Sequence, residues 1–287
     1  MRRLAVGLCL VFGLAAVVGT GGFAAATQAA SAGLSPSSTQ GGVLVRTNTR
    51  AALPVHGGTV TSLNWAGYAV TSTTPSITSV TSTFIVPSAG LLPPGFAATW
   101  VGIGGFSTSD LIQAGVGEQS LPSLPLVGAQ YYPWYEMLPN AEVQLTGCAG
   151  AAGYPGDANC TVAPGDSMAV IIQQSGNNLW TIAFANTTRH WTWIQQFPYQ
   201  SSKSSAEWIA EAPTLAALQT IIAPLSIVSF GPTSIYTQAG TSYTIAQGNP
   251  TKVVLSPGFV NEATPSALAP DGQSFNVCTY AQTCAAP

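Results

Sequence analysis

Ser204-Ser205-Ala206-Glu207-Trp208-Ile209-Ala210-Glu211-Ala212-Pro213 decides how this chain is read. The stretch sets two carboxylates around a Trp in an apolar run, in a chain whose charged residues make up only 6%. Trp208-Ile209 ahead of Pro213 reads as a strand that the proline closes. A carboxylate among apolar neighbours is costly unless it is hydrogen-bonded, and burial raises its pKa. Glu207 is therefore the first candidate for chemistry.

Outward from this strand the same texture recurs. Asn64 to Val70 and Ser79 to Val86 are β-rich alternating runs, and Pro87 ends the second. Ala98 to Ile103, Gln130 to Met137, Glu142 to Leu145, Ser167 to Gln173, Leu179 to Asn186, Ile227 to Phe230, Ser242 to Ile245 and Ser274 to Thr279 follow, punctuated by Gly, Pro, Asn and Ser. Ser175-Gly176-Asn177-Asn178 between two such runs predicts a hairpin turn. Helical periodicity is weak and confined to Thr214 to Ile222. Many short strands with turn signals predict an all-β sandwich or barrel.

The N-terminus differs. Arg2-Arg3, the apolar run Leu4 to Val18 and the small residues to Ala30 predict a secretory signal peptide over residues 1–30. The apolar core is short for a membrane span. Residues 31–60, rich in Ser, Gly, Thr and Ala with Arg46, Arg50 and His56, read as a flexible linker or short pro-segment, leaving 61–287 as one domain. From Thr61 onward three basic residues (Arg189, Lys203, Lys252) face ten acidic ones, a net charge of −7. So few cations leave little self-repulsion in acid and no basic patch for nucleic acid. After signal removal the expectation is a secreted, extracellular monomer with no membrane contact. Cys9 falls in the signal. Cys148, Cys160, Cys278 and Cys284 allow three pairings, of which local closure, Cys148 with Cys160 and Cys278 with Cys284, is the simplest. The alternative, a metal, lacks zinc-like spacing and a nearby His.

Elimination narrows the chemistry. Past residue 60 the chain has one His, His190, in an aromatic setting that reads as packing. It has no G-x-S-x-G elbow, no spare Cys once the four are paired, and no metal-ligand cluster, so no metal or other cofactor is expected. A hydrolase built here would use a carboxylate. Glu207 and Glu211 on one strand stand about 13 Å apart, too far for a glycosidase pair, but Glu136 can meet Glu207 across a sheet. A carbohydrate-binding sandwich or a glycosidase using Glu136 and Glu207 is thus the alternative reading. A neutral partner is the other option. Gln113, in Asp110-Leu111-Ile112-Gln113-Ala114-Gly115, can donate its amide to a developing oxyanion or be an ordinary strand amide.

Asn64-Trp65-Ala66-Gly67-Tyr68, Thr83-Phe84-Ile85-Val86-Pro87, Trp100-Val101-Gly102-Ile103, Ile112-Gln113-Ala114-Gly115, Trp134-Tyr135-Glu136, Pro164-Gly165-Asp166 and Ser205-Ala206-Glu207-Trp208-Ile209 together resemble the glutamic peptidase (eqolisin) family, over about residues 62–280. The resemblance implies a secreted, acid-active endopeptidase on protein or peptide substrates, with a concanavalin-like β-sandwich of two antiparallel sheets. It also implies a catalytic dyad of Gln113 and Glu207 on the concave sheet. Trp134 and Glu136 fall in a cleft-lining segment, where each is a substrate contact or a buried structural residue. Trp65 is a substrate contact or a core aromatic, and Glu211 a structural acid. Where fungal members commonly have Ile-Asp-Gly, this chain has Ile103-Gly104-Gly105, which takes one acid away from the dyad. Met137 replaces a second aromatic near Trp134.

Overall fold

The computed structural model describes residues 57–287 apart from 75, 121–127, 216–217 and 259. The expected signal peptide and most of the expected linker lie outside the described residues. In chain order the strands are β1 (Thr59–Ser62), β2 (Trp65–Thr71), β3 (Ile77–Ile85), β4 (Gly95–Gly104), β5 (Leu111–Ser120), β6 (Ala129–Met137), β7 (Val143–Gln144), β8 (Ala149–Gly150), β9 (Ser167–Gly176) and β10 (Leu179–Asn186). They continue as β11 (Trp191–Pro198), β12 (Ser205–Glu211), β13 (Thr214–Leu215), β14 (Leu218–Gln219), β15 (Val228–Phe230), β16 (Ile235–Gln238), β17 (Thr241–Thr244), β18 (Thr251–Leu255), β19 (Ala263–Pro265) and β20 (Phe275–Thr279). Among the described residues the one helical element is a single 3-10 turn, Ala246–Gly248.

The pairings form two layers. The front layer runs β1–β18–β2–β12–β4–β5–β6–β7. The back layer runs β17–β16–β3–β9–β10–β11–β8. The layers are not separate sheets. β15 pairs with β3 and β20, β20 with β19, and β19 with β18, so 18 strands share one hydrogen-bonded network. Between the named strands one pairing, β1 with β18, is parallel. It draws Thr59 and Val60 of the expected linker into the sheet.

Side-chain alternation explains which layer is which. β9 and β10 bury Met168, Val170, Ile172, Trp180, Ile182 and Phe184 and leave the intervening residues partly or fully exposed. This is the pattern of an antiparallel sheet with one wet face. β12 is buried at every position. Its inner residues Ala206, Trp208 and Ala210 join the main core between the layers, while Ile209 belongs to a second apolar cluster on the opposite face. The Trp208 indole crosses the core and donates to Thr81 O on β3 at 3.0 Å. A buried Trp is worth about 3–5 kcal/mol on truncation to Ala, so this residue ties the two layers together.

Several local expectations hold. The hairpin turn at 175–178 joins β9 to β10, with Asn178 at φ 51° taking the left-handed position. The disulfides are Cys148–Cys160 and Cys278–Cys284, as local closure predicts. The weak helical signal over Thr214 to Ile222 is overturned: β13 and β14 pair there as a short hairpin. Glu142 to Leu145 is reduced to the two residues of β7.

The Pro164-Gly165-Asp166 motif is a fastening. The Asp166 carboxylate is nearly buried and accepts from Ala163 N at 2.9 Å, Asn186 Nδ2 at 2.9 Å and Arg189 Nε at 2.5 Å. Asn186 opens the sequon Asn186-Thr187-Thr188, but its amide is buried and committed to this contact. The site is therefore structural rather than a surface acceptor.

Candidate active site

Register across five front-layer strands sets one row of residues: Ala69 on β2, Glu207 on β12, Gly102 on β4, Gln113 on β5 and Glu136 on β6. At about 4.8 Å per strand, Glu207 and Gln113 have backbones about 10 Å apart, with only a glycine between them. Gly102 has no side chain to fill that gap. A Cβ there would lie 2.8 Å from Trp100 Cζ3, 2.9 Å from Leu111 Cδ1 and 3.4 Å from Glu207 Oε2. The Glu207 carboxylate thus leans over Gly102 towards Gln113. This sets a carboxylate and an amide on either side of Gly102, with the Trp100 and Leu111 side chains packed against that glycine.

Gln113 is held from its far side. Its Nε2 donates to Glu136 Oε2 at 2.5 Å. An amide nitrogen carries two hydrogens, so this bond uses one of them. Glu136, 1% exposed, is therefore the residue that orients the Gln113 amide. Glu136 and Glu207 are three strands apart, about 14 Å between backbones, with Gln113 between them.

Glu207 is fully buried. Burial pushes its pKa well above the ordinary 4.5, and the nearby Asp110 carboxylate raises it further. Ser205 tempers the rise. Its hydroxyl stays outside hydrogen-bonding geometry, and neither Glu207 oxygen has a hydrogen-bond partner among the described residues.

The rows beside Glu207 and Gln113 carry large aromatic residues. The next row reads Gly67, Ile209, Trp100, Gly115 and Trp134, and the one beyond reads Trp65, Glu211, Ala98, Gly117 and Tyr132. Trp134 is fully buried beside Gly115, and a Cβ on Gly115 would run into Thr99 O at 2.1 Å. Trp65 packs edge-on to Trp100 with centroids 5.1 Å apart, in the same apolar cluster as Trp134. Glu211 accepts from Trp100 Nε1 at 2.7 Å and from Asn64 Nδ2 at 3.3 Å. It fixes the indole that packs over Gly102. The structure thus brings Glu207, Gln113 and Glu136 into one row, and sets Trp134 and Trp65 one and two rows away.

Two features were not legible beforehand. Gly102 stood in a quoted motif, but its place between Glu207 and Gln113 depends on the register of β12 against β4. Asp110 matters because of Gly104. With φ 84° at Gly104, a Cβ there would fall 2.7 Å from Asp110 Oδ2. The Asp110 carboxylate therefore occupies the space that a side chain at position 104 would take.

A search of curated proteins finds no match. Among solved structures, the fold is similar to scytalido-glutamic peptidase bound to a transition-state analogue inhibitor, at 19% identity and a TM-score of 0.62, over 76% of this chain and 98% of that one. It is also similar to SCP-B, a member of the eqolisin family of peptidases in complex with the tripeptide Ala-Ile-His, at 18% identity and a TM-score of 0.54, over 77% and 99%. A third is aspergilloglutamic peptidase from Aspergillus niger, at 19% identity and a TM-score of 0.52, over 64% and 99%. These likenesses show the fold. The Peptidase A4 family pattern matches residues 63–266, well over half of the chain. The chain belongs to the Peptidase A4 family, the glutamic peptidases, and is a peptide-bond hydrolase.

Proposed function

We propose that the chain is a secreted endopeptidase in which Glu207 and Gln113 form the catalytic dyad. The observation that carries this reading is the row Glu207–Gly102–Gln113–Glu136. Ionised Glu207 takes a proton from a water over Gly102, and the resulting hydroxide attacks the scissile carbonyl. The free N–H of Gln113 donates to the oxygen that gains charge. The Glu207 carboxylic acid then returns its proton to the leaving nitrogen as the C–N bond breaks. Glu136 orients the Gln113 amide, and the Trp100, Trp134 and Trp65 wall keeps the site dry. A dry site strengthens both the base and the donor.

The pH profile follows from the state of Glu207. It must be ionised to act, and its pKa is raised by burial. The ascending limb of kcat/KM therefore lies above the ordinary glutamate range, and activity falls away in strong acid as Glu207 takes up its proton. The check is cleavage of a denatured protein by the purified chain, followed as new amino termini from about pH 2 to 7. The expected result is cleavage with an ascending limb above 4.5, the ordinary glutamate value. Absence of cleavage across the whole range, or cleavage of polysaccharide instead, removes the reading.

A further inference from the structure

Asp110 sits outside the dyad row, yet it touches both elements that carry the dyad. It lies in the β4–β5 connection, directly before the strand that bears Gln113. Its Oδ2 accepts from Ser202 N at 2.6 Å and from Ser201 Oγ at 3.3 Å. Those serines belong to the segment that leads into β12 and Glu207. The same junction is stitched by hydroxyls. Thr108 Oγ1 accepts from Gly105 N at 3.1 Å and lies 3.2 Å from Ser202 Oγ, which is 2.9 Å from Ser204 Oγ. Ser204 O in turn accepts from Ser72 N at 2.8 Å, beside the end of β2. Gly104 and Gly105, at φ 84° and 90°, turn the chain so that Asp110 can fold back into this junction. A side chain at 104 would displace it.

We propose that Asp110 is a positioning residue for the reaction: its carboxylate clamps the Ser201–Ser204 segment, and with it Glu207, onto the hairpin that carries Gln113, and its negative charge acts on the Glu207 carboxylate. This rests on the peptidase reading above. The other charged groups around Glu207 are accounted for. Glu211 on its own strand is held by Trp100 and Asn64, and Glu136 on β6 is held by Gln113. Lys203 lies in the clamped segment, and Ala69 faces Glu207 from β2. Asp110 is the acid that raises the Glu207 pKa from across the junction.

Two variants separate the clamp from the charge. Asp110→Asn keeps an acceptor oxygen for the Ser202 N–H and removes the charge. Asp110→Ala removes both. The expected result for Asp110→Asn is a plateau kcat close to the parent, with the ascending limb moved to lower pH. For Asp110→Ala it is a kcat lower by about tenfold to a hundredfold with KM little changed, the size of effect that small misplacement of reacting groups produces. A second readout needs no activity: melting temperature against pH, with and without Glu207→Gln, in both the parent and the Asp110→Asn background. The separation between the two curves at neutral pH should be smaller in the Asp110→Asn background, and should stop growing at a lower pH. A pH profile and a neutral-pH separation that Asp110→Asn leaves unchanged, or a parent-like kcat in Asp110→Ala, overturn the proposal. If the parent chain cleaves no peptide, the peptidase reading fails, while the melting curves still decide whether Asp110 acts on Glu207.

Discussion

Replacing Glu207 with Gln is expected to abolish peptide hydrolysis and, at the same time, to raise the melting temperature at neutral pH. The two effects have one origin. General-base catalysis contributes about 10²–10⁴-fold, and Gln cannot accept the proton from water, so kcat should fall by at least that much. Stability moves the other way because the folded protein buries this carboxylate without a hydrogen-bond partner among the described residues. The folded pKa is raised above the ordinary 4.5. Below that value folded and unfolded chains both carry the proton, and the stability associated with Glu207 is fully present. As pH rises through the folded pKa the proton is lost at a cost, and that stability goes with it. Gln stays neutral at every pH. The variant and the parent should therefore melt together in acid and part towards pH 7, the variant melting higher. Scanning calorimetry of both across that range is the check. A variant that melts below the parent at pH 7 would mean the carboxylate is held by contacts stronger than its burial.

The second large effect is expected at Gln113. Removing one oxyanion donor costs about 10²–10³ in kcat, or about 2.7–4 kcal/mol of transition-state stabilisation. Gln113→Ala should therefore lose that much in kcat while KM changes little, since the donor acts on charge that develops only in the transition state. The variant also takes a short hydrogen bond from buried Glu136. About 1–3 kcal/mol of stability should go with it. Steady-state kinetics at the pH optimum, with a denaturant midpoint beside it, measures both. A Gln113→Ala enzyme with parental kcat would leave Gln113 an ordinary strand amide.

How much of this was legible in the sequence varies with the residue. Glu207 stood out because a carboxylate inside an apolar strand is rare, and the strand reading of 205–211 follows from the same residues. Gln113 gave no such signal alone, and its role came from motif order. β11 and β18 went unread for physical reasons. β11 leaves Ile194, Gln195 and Gln196 exposed, so its alternation fails halfway. β18 is five residues long and carries a Lys, and it is defined by partners distant in sequence, β1 and β2. The weak helical rhythm at 214–222 yielded to a hairpin, because spacing over so few residues cannot separate the two. Glu211 was expected to be structural, and its contacts with Trp100 and Asn64 are of that kind. Asp110 was invisible because its importance lies in the space above Gly104. That space exists only once the φ of 84° and the Ser201–Ser204 segment are both in place.

The most direct test of the dyad is a crystal structure of this chain with a peptide-based transition-state analogue bearing a tetrahedral centre. The dyad predicts that the centre sits over Gly102, with one oxygen within about 3 Å of a Glu207 oxygen and the other within about 3 Å of Gln113 Nε2. Gln113 should still be donating to Glu136. An analogue whose tetrahedral centre lies elsewhere, or touches Glu136 and not Glu207, would contradict it.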